Sequence, residues 1–193
     1  MRIVTRASID GTIAAGGRTK RQRRVTTLPA VVAAAAIVCA GCFGGGSPQQ
    51  EAVELIGKGL QAQSSGNLDE AGRLYREAVK KDPKNKIGYY DLAVVDQTKG
   101  RLSLAETEYR QALQLDPNFV PALFNLAIIR TGAGAKNEAL DLYRRAIAVQ
   151  PNYAAAHLNL GFLLRDLGRR AEGDAELAKA VELDPALRSR IPK

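Results

Sequence analysis

The sequence predicts an all-α solenoid of four stacked helix–turn–helix units. Three observations carry that expectation. Gly66, Gly100, Gly134 and Gly168 recur every 34 residues, as do Ala78, Ala112, Ala146 and Ala180, and Pro83, Pro117, Pro151 and Pro185. The chain is 46% hydrophobic yet has no Trp and few aromatics, so its core has to be built from Ala, Leu, Val and Ile. Ala and Leu lose little side-chain entropy in a helix, which favours helices over strands. Finally, Ala71, Tyr75 and Ala78 are spaced by four and three, which places them on one helical stripe.

In chain order, the first element is a candidate targeting segment, residues 1–41. Arg18, Lys20, Arg21, Arg23 and Arg24 precede the uncharged run LPAVVAAAAIVCAGCF at 28–43. A basic region, a short apolar run and then small residues is the layout of a secretory signal peptide. The run falls short of the ~20 residues a transmembrane helix needs. Cys39-Ala40-Gly41-Cys42 resembles the lipobox of bacterial lipoproteins, which implies that Cys42 is the lipidated residue and the new N-terminus after cleavage. Cys39 departs from the branched aliphatic that the lipobox prefers there. An uncleaved signal anchor, a cleaved secreted form and a basic cytoplasmic tail are the other readings of this segment. Residues 42–51 read as a flexible Gly-rich tether.

The four units follow at 52–85, 86–119, 120–153 and 154–187, with a tail at 188–193. In the first, Leu55, Gly59 and Ala62 mark one face of the first helix. Gly66 ends it in a left-handed turn. Asn67-Leu68-Asp69-Glu70 opens the second helix, with acids suited to the helix dipole. Asp82-Pro83 closes it, because the residue before proline disfavours the α conformation. A single hairpin cannot bury its own stripe, so neighbours bury it jointly. The fourth unit departs from the pattern: Gly173 and Leu177 stand where the others have Ala and Tyr. Little chain follows Pro185, so the last unit is expected to leave an outward apolar face, and with it a weak homodimer or partner contact through the terminal repeats.

The 34-residue period, with Ala71, Ala105 and Ala139, then Tyr75, Tyr109 and Tyr143, then the closing prolines, resembles the tetratricopeptide repeat (TPR). That resemblance implies a right-handed superhelix whose concave face is lined by the first helix of each unit and binds a peptide. Carried over position by position, the groove residues are Ile56 and Leu60; Tyr90 and Val94; Phe124, Asn125 and Ile128; and Leu158, Asn159 and Phe162. Val53, Gln63, Ile87, Asp91, Gln97, Thr131 and Arg165 hold other groove positions. Phe124, Ile128 and Phe162 are the expected central anchors. The carboxylate clamp of chaperone-binding repeats would need Lys and Asn where Ile56 and Leu60 stand, so that partner class is not expected. Asn125 and Asn159 resemble the asparagine ladder that holds a peptide backbone.

Charge and chemistry narrow the function. Of the net charge of +8, residues 1–41 carry +6 and the rest only +2. The folded part is therefore a poor match for nucleic acid. His157 is the lone histidine and sits at a packing position. No nucleophile–base pair, phosphate loop or metal-ligand set is legible, so neither an enzyme nor a cofactor or metal site is expected. The expected function is a membrane-anchored adaptor of the cell envelope, on the outer face of the cytoplasmic membrane or in the periplasm. It would bind a protein or peptide partner in envelope assembly, secretion or pilus biogenesis, a layout resembling the TPR lipoproteins that serve as pilotins. The alternative is a self-associating scaffold with no dedicated ligand.

Overall fold

The computed structural model describes residues 46–192. The candidate signal peptide 1–41, Cys42 and the start of the tether lie outside the described residues. Eight α-helices follow one another: α1 (Pro48–Ser64), α2 (Leu68–Lys81), α3 (Lys86–Thr98), α4 (Leu102–Leu115), α5 (Val120–Gly132), α6 (Lys136–Val149), α7 (Ala154–Asp166) and α8 (Arg170–Leu183), then a 3₁₀ turn at Pro185–Arg190. They pack as hairpins, α1 with α2 through α7 with α8, and each hairpin packs on the next. Among the described residues there is no strand.

The punctuation acts as its chemistry requires. Gly66, Gly100, Gly134 and Gly168 adopt φ of 79°, 72°, 76° and 78° between the two helices of their units. A side chain there would meet the Cβ–carbonyl clash of the left-handed region. The proline that follows each even helix keeps the residue before it out of the α conformation. Asp82, Asp116, Gln150 and Asp184 cap those helices in more extended conformations.

Helix α1 begins earlier than expected, inside the stretch read as tether. Ser47 Oγ accepts from Gln50 N at 3.2 Å while Gln50 Oε1 accepts from Ser47 N at 2.8 Å. This capping box, with Pro48 at the first helical position, starts the helix at 48 and makes Pro48–Gln50 part of it.

The repeated stripe is the core. Ala71, Tyr75 and Ala78, Ala105, Tyr109 and Ala112, and Ala139, Tyr143 and Ala146 are all buried. Opposite Tyr75 stands Gly59, where a Cβ would come within 2.4 Å of the tyrosine ring. The fourth unit substitutes a different fit. Gly161 on α7 faces Gly173 and Leu177 on α8; a Cβ on Gly161 would sit 2.7 Å from Leu177 Cγ, and one on Gly173 would sit 2.7 Å from the Gly161 carbonyl oxygen. Two glycines thus let backbones touch at the level where the second helix of the other units carries Ala and Tyr.

The expectation of a bare outward face on the last unit is corrected. The 3₁₀ turn packs on α8, and Leu187 and Ile191 lie against Leu158, Leu177 and Ala180. Even a short segment beyond Pro185 places two aliphatic side chains where a further helix would otherwise pack.

Candidate functional site: the face of the odd helices

Helix α1 reaches α3 and α5 reaches α7 across unit boundaries, contacts that no pair of even helices makes to the same extent. The odd helices therefore line the tighter, concave side. Their exposed positions form the candidate site.

On this side a cleft of about 350 Å³ lies between units three and four, lined by Ile128, Thr131, Tyr143, Asn159, Phe162, Leu163 and Asp166. It brings together four of the expected groove residues, Ile128, Thr131, Asn159 and Phe162. Most of its lining is apolar, with hydroxyl and amide groups interspersed. Tyr143, Leu163 and Asp166 were not expected here. Tyr143 and Leu163 belong to the buried core, and the cleft reaches down to their edges.

The ten expected groove residues divide by how much surface they keep. Leu60 is half exposed, while Tyr90, Val94, Phe124, Asn125, Ile128, Asn159 and Phe162 are partly buried. Ile56 and Leu158 are corrected: both are core residues. Ile56 lies against α3, its Cδ1 3.6 Å from where a Cβ on Gly88 would stand; Leu158 belongs to a contact that recurs in the later units. The residues just before α5 and α7 pack back on the preceding unit: Phe119 meets Tyr90 edge-on at 5.3 Å and Tyr153 meets Phe124 at 4.9 Å. Leu187 takes the same place in the cluster around Leu158. The signal was present in the sequence, because Phe119, Tyr153 and Leu187 share the 34-residue spacing.

Beneath the groove runs a line of tyrosine hydroxyls. Tyr75 Oη donates to Gln63 Oε1 at 2.9 Å, and Tyr109 Oη donates to Gln97 Oε1 at 2.7 Å. Tyr109 Oη also accepts from Asn125 Nδ2 at 3.1 Å, and the same amide lies 3.4 Å from Tyr90 Oη. Thr131 and Asn159 line the same cleft as Tyr143 and offset part of the upward shift that burial gives its hydroxyl. Burial raises the Tyr75 hydroxyl to about 12, with the Asp91 charge adding to it, and pushes Tyr109 up as well. All are neutral at physiological pH. The first of the two ladder asparagines is thus bonded to the scaffold: Asn125 ties α5 to a tyrosine of the preceding unit.

Asp91, at the same repeat position as Asn125 and Asn159, differs. It is 9% exposed and has no hydrogen-bond or ion-pair partner among the described residues. Burial alone pushes its carboxyl up to about 6.

Away from the groove, polar groups join units. Glu106, Arg110, Arg130 and Glu138 form a closed ring of ion pairs linking α4, α5 and α6, with distances of 2.5–3.0 Å. On α3 and α4, Asp96 is buried against Arg101 and Glu108. Burial first, then the Asp96 charge, raises the Glu108 carboxyl to about 8. His157 is buried with Nδ1 2.6 Å from Glu176 Oε2 and Nε2 3.0 Å from the Pro151 carbonyl oxygen. Both ring nitrogens are engaged in joining α7 to α8 and to the preceding loop. Among the described residues no cluster of His, Cys, Asp and Glu is arranged to hold a metal ion.

Solved structures share this arrangement. The crystal structure of MamA superposes with a TM-score of 0.66 at 19% identity, covering 72% of this chain and 81% of that one. The first TPR of Spaghetti (RPAP3), bound to the HSP90 peptide SRMEEVD, gives 0.60 at 24% identity, covering 62% and 95%. PilF from Pseudomonas aeruginosa gives 0.65 at 25% identity, covering 72% and 64%. No curated protein sequence matches the chain significantly. The family model of the cilia and flagella-associated protein 70 middle TPR-like domain matches residues 59–184, well over half the chain. Together with the glycine-punctuated hairpins and their shared Ala–Tyr–Ala spine, that match means that this chain belongs to the family of that TPR-like domain.

Proposed function

We propose that this chain is an adaptor that holds a protein partner by an extended or helical peptide segment laid along its odd helices. The observation that carries the reading is the mostly apolar cleft at Ile128, Asn159 and Phe162, open on the concave side and edged by polar groups. An apolar strip of this kind on an otherwise polar surface marks an interaction site. A segment with Leu or Phe anchors matches it best. The Spaghetti TPR, of the same fold, is bound to a peptide, which supports the use of this fold for peptide capture.

The finer reading places the adaptor at a bacterial membrane, held by lipid on Cys42, and serving envelope assembly, secretion or pilus biogenesis. Its support is the residue pattern ending in Cys39-Ala40-Gly41-Cys42. Among the described residues no helix is long and apolar enough to cross a membrane, so in this reading the anchor lies in the N-terminal segment. One acyl chain holds a membrane only marginally; the two or three chains of a bacterial lipoprotein make release negligible. The self-associating scaffold is the weaker reading, because Leu187 and Ile191 cover part of the end surface it needs.

Two experiments test these readings. Peptides selected on the full-length chain should lose binding to Ile128→Asp and Phe162→Asp but keep it with Leu104→Asp, an exposed residue on α4. Retained binding in both cleft variants, each folded, refutes the groove. Metabolic lipid labelling should mark the wild type and spare Cys42→Ala; equal labelling refutes the lipid anchor.

A further inference from the structure

The groove carries one side chain whose state the fold does not explain. Asp91 is nine-tenths buried on α3 and unpartnered among the described residues. Its counterparts show what the position ordinarily does. Asn125 donates to Tyr109 Oη, and Asn159 lines the same cleft as Tyr143. The tyrosine of the preceding unit for Asp91 is Tyr75, whose one hydroxyl proton goes to Gln63. A carboxylate has no proton to donate to Tyr75 Oη, and receives none from it. An asparagine at 91 would complete the pattern. The aspartate leaves a largely buried carboxylate whose oxygens keep contact with solvent but have no partner in the protein, which is unfavourable. Departures of this kind from an otherwise consistent scaffold point to a ligand.

The surroundings define that ligand. Ile87 and Val94 lie four residues before and three after Asp91, so they share its helix face. Ile87 is exposed, as are Val53 and Leu60 on α1. Of the charged residues along the groove, Asp166 is tied to Lys136 at 2.7 Å and Arg165 to Asp174 at 2.5 Å. Asp91, by contrast, pairs with no basic side chain among the described residues. The peptide on the Spaghetti TPR, SRMEEVD, is rich in acids; Asp91 carries the same sign of charge and would repel such a segment.

We propose that Asp91 receives a lysine or arginine side chain from an otherwise aliphatic partner segment, with Val53, Leu60, Ile87 and Val94 taking its apolar residues. The inference rests on the groove reading above and adds the charge of the partner. A buried carboxylate with water largely excluded gains more from a cation than an exposed one does.

The test uses the full-length chain and end-blocked nonapeptide pools with a Leu, Ala, Ser and Gln background and a central Lys, Arg, Leu or Glu. Wild type should bind the Lys and Arg pools at least about tenfold more tightly than the Glu pool. Asp91→Asn should abolish that preference, leave the Leu pool unchanged and raise Tm, because the asparagine can bond Tyr75. A folded Asp91→Asn protein that keeps the cation preference overturns the inference. So does a wild type that binds the Leu pool but prefers no cation; in both cases the groove stands. If no pool binds, or if Ile128→Asp binds every pool as the wild type does, the groove reading fails and this inference with it.

Discussion

Restoring the repeat's own consensus in the fourth unit should destabilise the protein. The perturbation is Gly173→Ala, which places in α8 the residue found at Ala71, Ala105 and Ala139. Helix propensity alone favours it by about 1 kcal/mol. The geometry opposes it. The new Cβ would lie 2.7 Å from the Gly161 carbonyl oxygen, 2.9 Å from Arg165 Cγ and 3.1 Å from Arg165 N. Two of those atoms are backbone of α7 and cannot rotate away, so the helices must separate, and Leu177 loses its fit over Gly161. Overpacking of this kind costs ~1–3 kcal/mol, leaving a net loss of up to roughly 2 kcal/mol after the propensity gain. For a domain of this size that is a fall in Tm of up to roughly 4–8 °C. Gly57→Ala is the control: it is exposed in the middle of α1 with nothing within 4 Å of the new methyl group, and should gain up to about 1 kcal/mol. Circular-dichroism melts compare the two. Hydrogen exchange localises the effect, because a terminal unit of a repeat array opens on its own. A rise in Tm for Gly173→Ala comparable to that for Gly57→Ala would refute the backbone-contact reasoning.

Three further outcomes are expected. Glu108 has a carboxyl raised from an ordinary 4.5 to about 8, so the folded state binds the extra proton between those values and stability falls as pH rises through that window. Glu108→Gln should remove this dependence and gain ~1–2 kcal/mol near pH 8 after allowance for solvent screening, read from urea melts across pH; an unchanged pH slope contradicts the burial argument. Tyr109→Phe should cost ~1–2 kcal/mol, more than Tyr75→Phe, because it strands both Gln97 and Asn125 whereas Tyr75→Phe strands Gln63 alone; equal losses in chemical denaturation contradict the hydroxyl line. Gly100→Ala, at φ 72° with open space around it, should cost ~1 kcal/mol from backbone conformation alone, and a neutral result would show that the turn relaxes.

The repeat made most of the fold legible. Glycine, alanine, tyrosine and proline at one fixed spacing specify turn, close approach, filler and stop, and the structure uses each in that role. Where the sequence misled, it did so because each helix was taken by itself. Gly173 looked like decay of the pattern; it is half of a glycine pair, visible only when α7 and α8 are read together. Leu158 sat at a groove position but is buried by Leu187, a residue outside the helix that was being read. Asn125 has the amide a peptide-holding ladder needs, yet its hydrogen goes to Tyr109, a partner from the preceding unit. Asp91 was placed in the groove by position, but its missing partner depends on where Tyr75 sends its single proton, which no spacing reveals. Contacts between residues that keep the period follow from it; those made where a unit departs from it, at Gly173 and Asp91, do not.

The central claim is that ligands dock on the odd helices, and methyl chemical shifts of the full-length chain test it most directly. Ile, Leu and Val methyl groups report from both sides: Leu60, Val94 and Ile128 on odd helices, and Leu102, Leu104, Leu115 and Val149 on even ones. Titration with the tightest peptide from the Lys pool should shift the first set and leave the second in place. Shifts centred on Leu102, Leu104, Leu115 and Val149, with Ile128 and Val94 unmoved, would contradict the account.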